Sequence, residues 1–192
     1  EWKNVEDMYV ISSFAEGDDV GTYAGTTNSL ERSMYNFYQR ISELPGVYIA
    51  QGQFLNQESL DAVYGTYQHV PKKPFWYLKF SYNYLKDLGI PLSDEELLEM
   101  RNGTRLYLLP NTLNTEELEV MKAYLQESVT VKPGDLQTNF TENPKFMFKV
   151  YQPSRSIFTW SDSISYGTTS ENPVIFVSTP ENLYFMESAN LV

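Results

Sequence analysis

The sequence predicts an α+β fold: a mixed β-sheet of five to seven strands with two main helices packed on it, over 28–44 and 115–127. Three observations carry this. Leu30, Met34, Phe37 or Tyr38, Ile41 and Leu44 step by three and four, the period of an amphipathic helix. The runs FWYLKFSY from Phe75 and PVIFVS from Pro173 are short, aromatic and β-branched, as strands are. From Lys145 the chain alternates, with Phe146, Phe148 and Val150 on one face and Lys145, Met147 and Lys149 on the other. The strand–helix–strand start and a later strand–helix step suit a ferredoxin-like or porter-like core. That core spans about 1–55 and 131–192 with an insertion over about 56–130, all within one domain of 192 residues.

In order, 5–14 reads as a first strand, ended by the acidic turn Glu16-Gly17-Asp18-Asp19. Thr27 or Asn28 can cap the first helix and Pro45-Gly46 ends it. Its period asks Leu30, Met34, Phe37, Ile41 and Leu44 to face the sheet. A strand from 47–50 continues towards Phe54 and Leu55, and 57–63 is a short helix. Gly65, Pro71 and Pro74 make 64–74 a loop. After the strand 75–82 comes a helical turn at 83–86. Ser93 with Glu96 has the form of a capping box that opens a helix to about Met100. The strand 105–109 stops at Pro110-Asn111. Asn114 or Thr115 then caps a helix over 116–126, with Leu118, Met121 and Leu125 on one side. Strands follow at 145–151, 156–160 and 173–178. Glu181 to Phe185 has the form of a protease-tag site, but Met186 stands where glutamine would be, so it reads as native.

Composition narrows the function. Fourteen Lys and Arg against 25 Asp and Glu give a net charge of −11, which argues against nucleic acid and against basic-patch binding to anionic lipid. With no cysteine there are no thiol nucleophiles, disulfides, thiolate zinc sites or iron–sulfur ligands. His69 is the only histidine, so sites built on two imidazoles are excluded. It sits in the loop segment Gln68-His69-Val70-Pro71 with no G-x-S-x-G in the chain, and reads as an exposed loop residue, not a base. Carboxylate pairs arise by chance among so many acids. The run Asp94-Glu95-Glu96 has a sufficient explanation in the helix dipole. Glu16 to Asp19 lacks calcium-loop spacing, and weak calcium binding there stays an open alternative. No glycine-rich phosphate loop is present. The sequence therefore assigns no catalytic, cofactor-binding or metal-binding residue and calls for no cofactor. No uncharged apolar stretch approaches the ~20 residues of a membrane helix. The start Glu1-Trp2-Lys3-Asn4 is unlike a signal peptide, and the expectation is a piece excised from a longer protein.

Several phrases occur together in a set order. They are Leu44-Pro45-Gly46-Val47, then Phe80-Ser81-Tyr82-Asn83-Tyr84-Leu85-Lys86, then Leu106-Tyr107-Leu108-Leu109-Pro110. Phe158-Thr159-Trp160 and Asn172-Pro173-Val174-Ile175-Phe176-Val177 complete the order. This resembles the large extracytoplasmic loop of the bacteriocin-associated integral membrane proteins, Gram-positive permeases of the FtsX-like, MacB-type ABC-transporter class. Ser81 and Tyr82 stand where that family often has Asn or Pro, and Asn172 replaces an aspartate. The resemblance implies a non-enzymatic domain on the extracellular side of the cell membrane, with flanking membrane helices outside this chain. It implies a cytoplasmic ABC ATPase as partner and contact with a peptide or another cell-surface protein, in bacteriocin or antimicrobial-peptide export or resistance. Two alternatives stay open: a secreted or surface binding or adhesion module, and a carboxylate-dependent glycan-active enzyme.

Overall fold

A computed structural model describes residues 21, 26–27, 29–42, 44–132, 137–161 and 164–184. The strand expected over 5–14 and the acidic turn at 16–19 lie outside the described residues. The fold is α+β, built on a mixed five-stranded sheet. Its strands are β1 (Ala50–Leu55), β2 (Phe75–Ser81), β3 (Arg105–Pro110), β4 (Phe146–Tyr151) and, after a two-stranded hairpin, β7 (Val174–Ser178). The hairpin pairs β5 (Ile157–Phe158) with β6 (Thr169–Ser170). The sheet order is β1-β2-β7-β3-β4. The β1/β2 and β3/β7 pairs are antiparallel, whereas β2/β7 and β3/β4 are parallel.

Both faces of the sheet are covered, which explains why β2, β3 and β7 read as continuous apolar runs, with little alternation. One face carries Tyr107, Leu109, Val174 and Phe176. It packs under helix α1 (Ser29–Ile41), the short α2 (Gln57–Asp61) and helix α5 (Thr115–Glu127), through Tyr38, Leu60, Met121, Tyr124 and Leu125. The other face carries Leu78, Phe80, Leu106, Leu108, Ile175 and Val177. It packs under α3 (Tyr82–Asp87), α4 (Asp94–Arg101) and β5, through Leu85, Met100 and Ile157. The capping boxes at Ser93/Glu96 and Asn114/Glu117 are both formed. Among the described residues no helix is long and apolar enough to cross a membrane.

Two expectations need correction. In α1 the buried stripe is Met34 and Tyr38, four residues apart, while Phe37 is 38% exposed and Leu44 49%. The period leaves neighbours 37 and 38 nearly equivalent, and a hydrogen bond decides. The Tyr38 hydroxyl donates to the Ser178 carbonyl at the end of β7 (3.1 Å), which Phe37 cannot do. The second concerns the 56–130 segment, expected to elaborate the core. It supplies β2 and β3, the two strands that flank β7. It is therefore the middle of the sheet, because β7 has a hydrogen-bonding partner on each side only through it.

Candidate functional site

Where β2 and β7 enter the sheet and β3 leaves it, a cleft of about 550 Å³ opens. Three loops shape it. The 68–74 strap leads into β2, the 111–114 turn links β3 to α5, and 170–172 leads into β7. Phe54, Trp76, Leu113 and Met121 give it an apolar lining, and Pro71 and Pro74 stiffen one wall.

The strap lies along α5 and is tied to it at both ends. At the far end the Glu127 carboxylate accepts from the backbone N–H groups of Gln68 (2.7 Å) and His69 (3.1 Å) through one oxygen. Its other oxygen meets His69 Nδ1 at 2.5 Å. Val70 and Pro71 are buried between the ends. At the cleft end, Lys72 Nζ reaches Glu116 (3.3 Å) and Lys73 Nζ reaches Glu117 (2.7 Å). Glu117 does two jobs at once. One carboxylate oxygen takes the Lys73 ammonium, and the other accepts the Asn114 backbone N–H that closes the capping box. The hydrogen bond from Lys73, then that from Asn114, holds the Glu117 carboxyl below the usual glutamate range. The hydrogen bond from His69 does the same for Glu127. At the same end of the sheet, buried Tyr151 donates to the Pro173 carbonyl (2.7 Å) and so fixes the start of β7; burial pushes its phenol well up.

The opposite end of the sheet is tied together by side-chain hydrogen bonds. Asn83 donates from its amide to the Val47 carbonyl, Ser81 Oγ accepts from the Ile49 N–H (2.9 Å), and Ser81 Oγ donates to Asn83 Oδ1 (2.5 Å). Trp160 Nε1 donates to the Tyr84 hydroxyl (2.7 Å), with Trp160 held at φ 50°. A bulky side chain at positive φ is strained and needs its surroundings to hold it there. Here the hold comes from β1, where Gly52 lets the Thr159 backbone lie directly on the strand. The phrases met in the sequence as separate strings thus interlock: Val47 with Asn83, and Tyr84 with Trp160.

Arg105 is 1% exposed, and sequence reasoning missed it. Its guanidinium lies 3.9 Å from the Phe176 ring centroid, with Phe140, Tyr107 and Tyr184 around it, and donates to the Asn182 carbonyl (2.8 Å) and the Tyr107 hydroxyl. A planar, weakly hydrated cation among aromatic rings is a stable way to bury an arginine. It anchors 180–184, where Asn182 and Leu183 are fully buried, so this stretch belongs to the fold.

His69 lies in an exposed loop, and its ring faces Glu127, a strap contact; among the described residues no serine hydroxyl is paired to it. The acids of 94–96 open α4; Glu96 takes Lys149 (2.8 Å) and the Ser93 N–H, which outweigh its burial and lower its carboxyl. Among the described residues no cluster of three His, Cys, Asp or Glu side chains could hold a metal ion. The cleft itself was not foreseen. Its only trace in the sequence is the pairing of Lys72-Lys73, bracketed by prolines, with Glu116-Glu117 forty-four residues on.

Fold and cleft together define a small α+β domain with a cleft at one end of its sheet and a network of side-chain hydrogen bonds at the other. No protein-family model, no curated protein and no solved structure matches this chain.

Proposed function

We propose that the chain is the extracytoplasmic domain of an ABC-transporter permease of the FtsX-like, MacB-type class, on the outer side of a Gram-positive cell membrane. It acts by contact, without catalysing a reaction. The cleft receives a peptide or a segment of another surface protein, and flanking membrane helices couple that contact to a cytoplasmic ATPase. The process served is export of, or resistance to, bacteriocin-type peptides.

The observation that most supports this reading is the interlocking of the resemblance phrases. Asn83 of the second phrase binds the Val47 carbonyl of the first, and Trp160 of the fourth binds Tyr84 of the second. The apolar lining of the cleft, Phe54, Trp76, Leu113 and Met121, suits contact with a stretch of chain. A secreted binding module would use the same cleft, so the membrane context separates the two. The full-length chain should carry one hydrophobic helix just before Glu1 and about three after Val192. Their absence refutes the permease reading and leaves the secreted module.

A further inference from the structure

We infer that the cleft takes an apolar peptide segment bearing a lysine or arginine. The inference deepens the contact reading above and rests on it for the site, though not for the membrane context.

The lining sets the apolar part. Phe54, Trp76, Leu113 and Met121 meet in a cavity of about 550 Å³, within the range of roughly 300–1,000 Å³ that holds small ligands. A short stretch of chain fits, whereas a folded partner does not. Thr112 and Asn172 at the mouth add side-chain hydrogen-bonding capacity for a peptide backbone.

Charge sets the rest. A helix start such as that of α5 ordinarily favours an anion. Here it does not. Asn114 and Glu117 cap each other, and Glu116 and Glu117 fill the first turn with negative charge. Glu171, from the loop before β7, also lines the cleft. The two cations present, Lys72 and Lys73, have side chains 82% exposed. Exposed pairs of this kind are weakly held, and their long stems swing into water at little cost. A ligand cation can therefore replace either lysine on its glutamate without leaving a buried charge unpaired. The chain's net charge of −11 draws cations to the surface and repels acidic segments.

The test uses three synthetic nonapeptides of leucine and proline that differ only at two central positions: lysine, glutamine or glutamate. Binding to the 192-residue chain is measured by calorimetry at low and high salt. Chemical shifts of the Met121 and Leu113 methyl groups report the location. The lysine peptide should bind at least about tenfold more tightly than the glutamate peptide, weaken with salt, and shift both methyl groups. In the Glu116→Lys/Glu171→Lys variant, both changes being at exposed positions, that preference should disappear while the melting temperature holds. Equal binding of the three peptides, no binding, or shifts confined to other methyl groups would overturn the inference. None of those results bears on whether membrane helices flank the chain, so the permease reading is judged separately.

Discussion

Gly52→Ala is the most informative single substitution in the sheet. Gly52 is the third residue of β1 and does not occupy the left-handed region, so its backbone would accept any L-residue. On local grounds alone, alanine should stabilise the strand by about 0.5–1 kcal/mol. The tertiary contact reverses the sign. A Cβ at this position would stand 1.7 Å from the Thr159 carbonyl oxygen, 2.8 Å from its carbon and 2.9 Å from Leu78 Cδ2. Two of those atoms are backbone, so relief requires the segment 157–160 to lift off β1. Overpacking of this severity falls at the top of the usual range, about 3 kcal/mol. For a chain of this size that lowers the melting temperature by about 6–12 °C. The lift also pulls Trp160 from the Tyr84 hydroxyl, so near-ultraviolet circular dichroism should lose tryptophan fine structure. A variant that melts at or above the wild-type temperature, with that spectrum unchanged, would refute the close crossing of β1 by Thr159.

Three other outcomes follow from the same structure. Tyr38→Ala should destabilise by about 3–5 kcal/mol in denaturant melts, whereas Phe37→Ala should cost less than about 1 kcal/mol, because only Tyr38 is buried against β7. Arg105→Ala removes charge-assisted hydrogen bonds to Asn182 and Tyr107; about 3 kcal/mol of stability should go. Amide exchange at 182–184 should then accelerate more than exchange in β2. The carboxyls of Glu96, Glu117 and Glu127 are lowered in the folded protein by their hydrogen-bond donors. Their contribution is therefore complete above the unfolded glutamate value near ~4.3 and is lost as pH falls through the lowered folded values. Melting temperature should drop on that acid limb, and Glu127→Gln should flatten it; an unchanged limb in the variant would show that the strap contact is not formed.

Much of the fold was legible because local and tertiary signals agree. Ser93, Asn114 and Pro110 set element ends that the structure keeps within a residue or two, since caps and prolines act through their own backbone neighbours. The runs that became β2 and β7 declared themselves by composition, as strands covered on both faces do. What failed was pairing at a distance. The choice between Phe37 and Tyr38 depended on a hydroxyl partner 140 residues away at Ser178. The central position of β2 and β3 depended on β7 inserting between them, which no local pattern encodes. Arg105 reads as an ordinary strand-end charge until Phe140, Phe176 and Tyr184 are brought around it. The cleft is wholly a product of topology, because its three loops come from separate stretches of the chain.

If the full-length protein is the permease proposed above, coupling of this domain to nucleotide state is the sharpest check on that proposal. Fluorophores placed at the two ends that would join the proposed membrane helices report the distance between them while the proposed ATPase partner is cycled. A domain that transmits contact to the ATPase must have at least two arrangements that ATP biases differently. Distinct distance distributions are expected in the ATP-bound and nucleotide-free states. Identical distributions in both states would contradict the proposal.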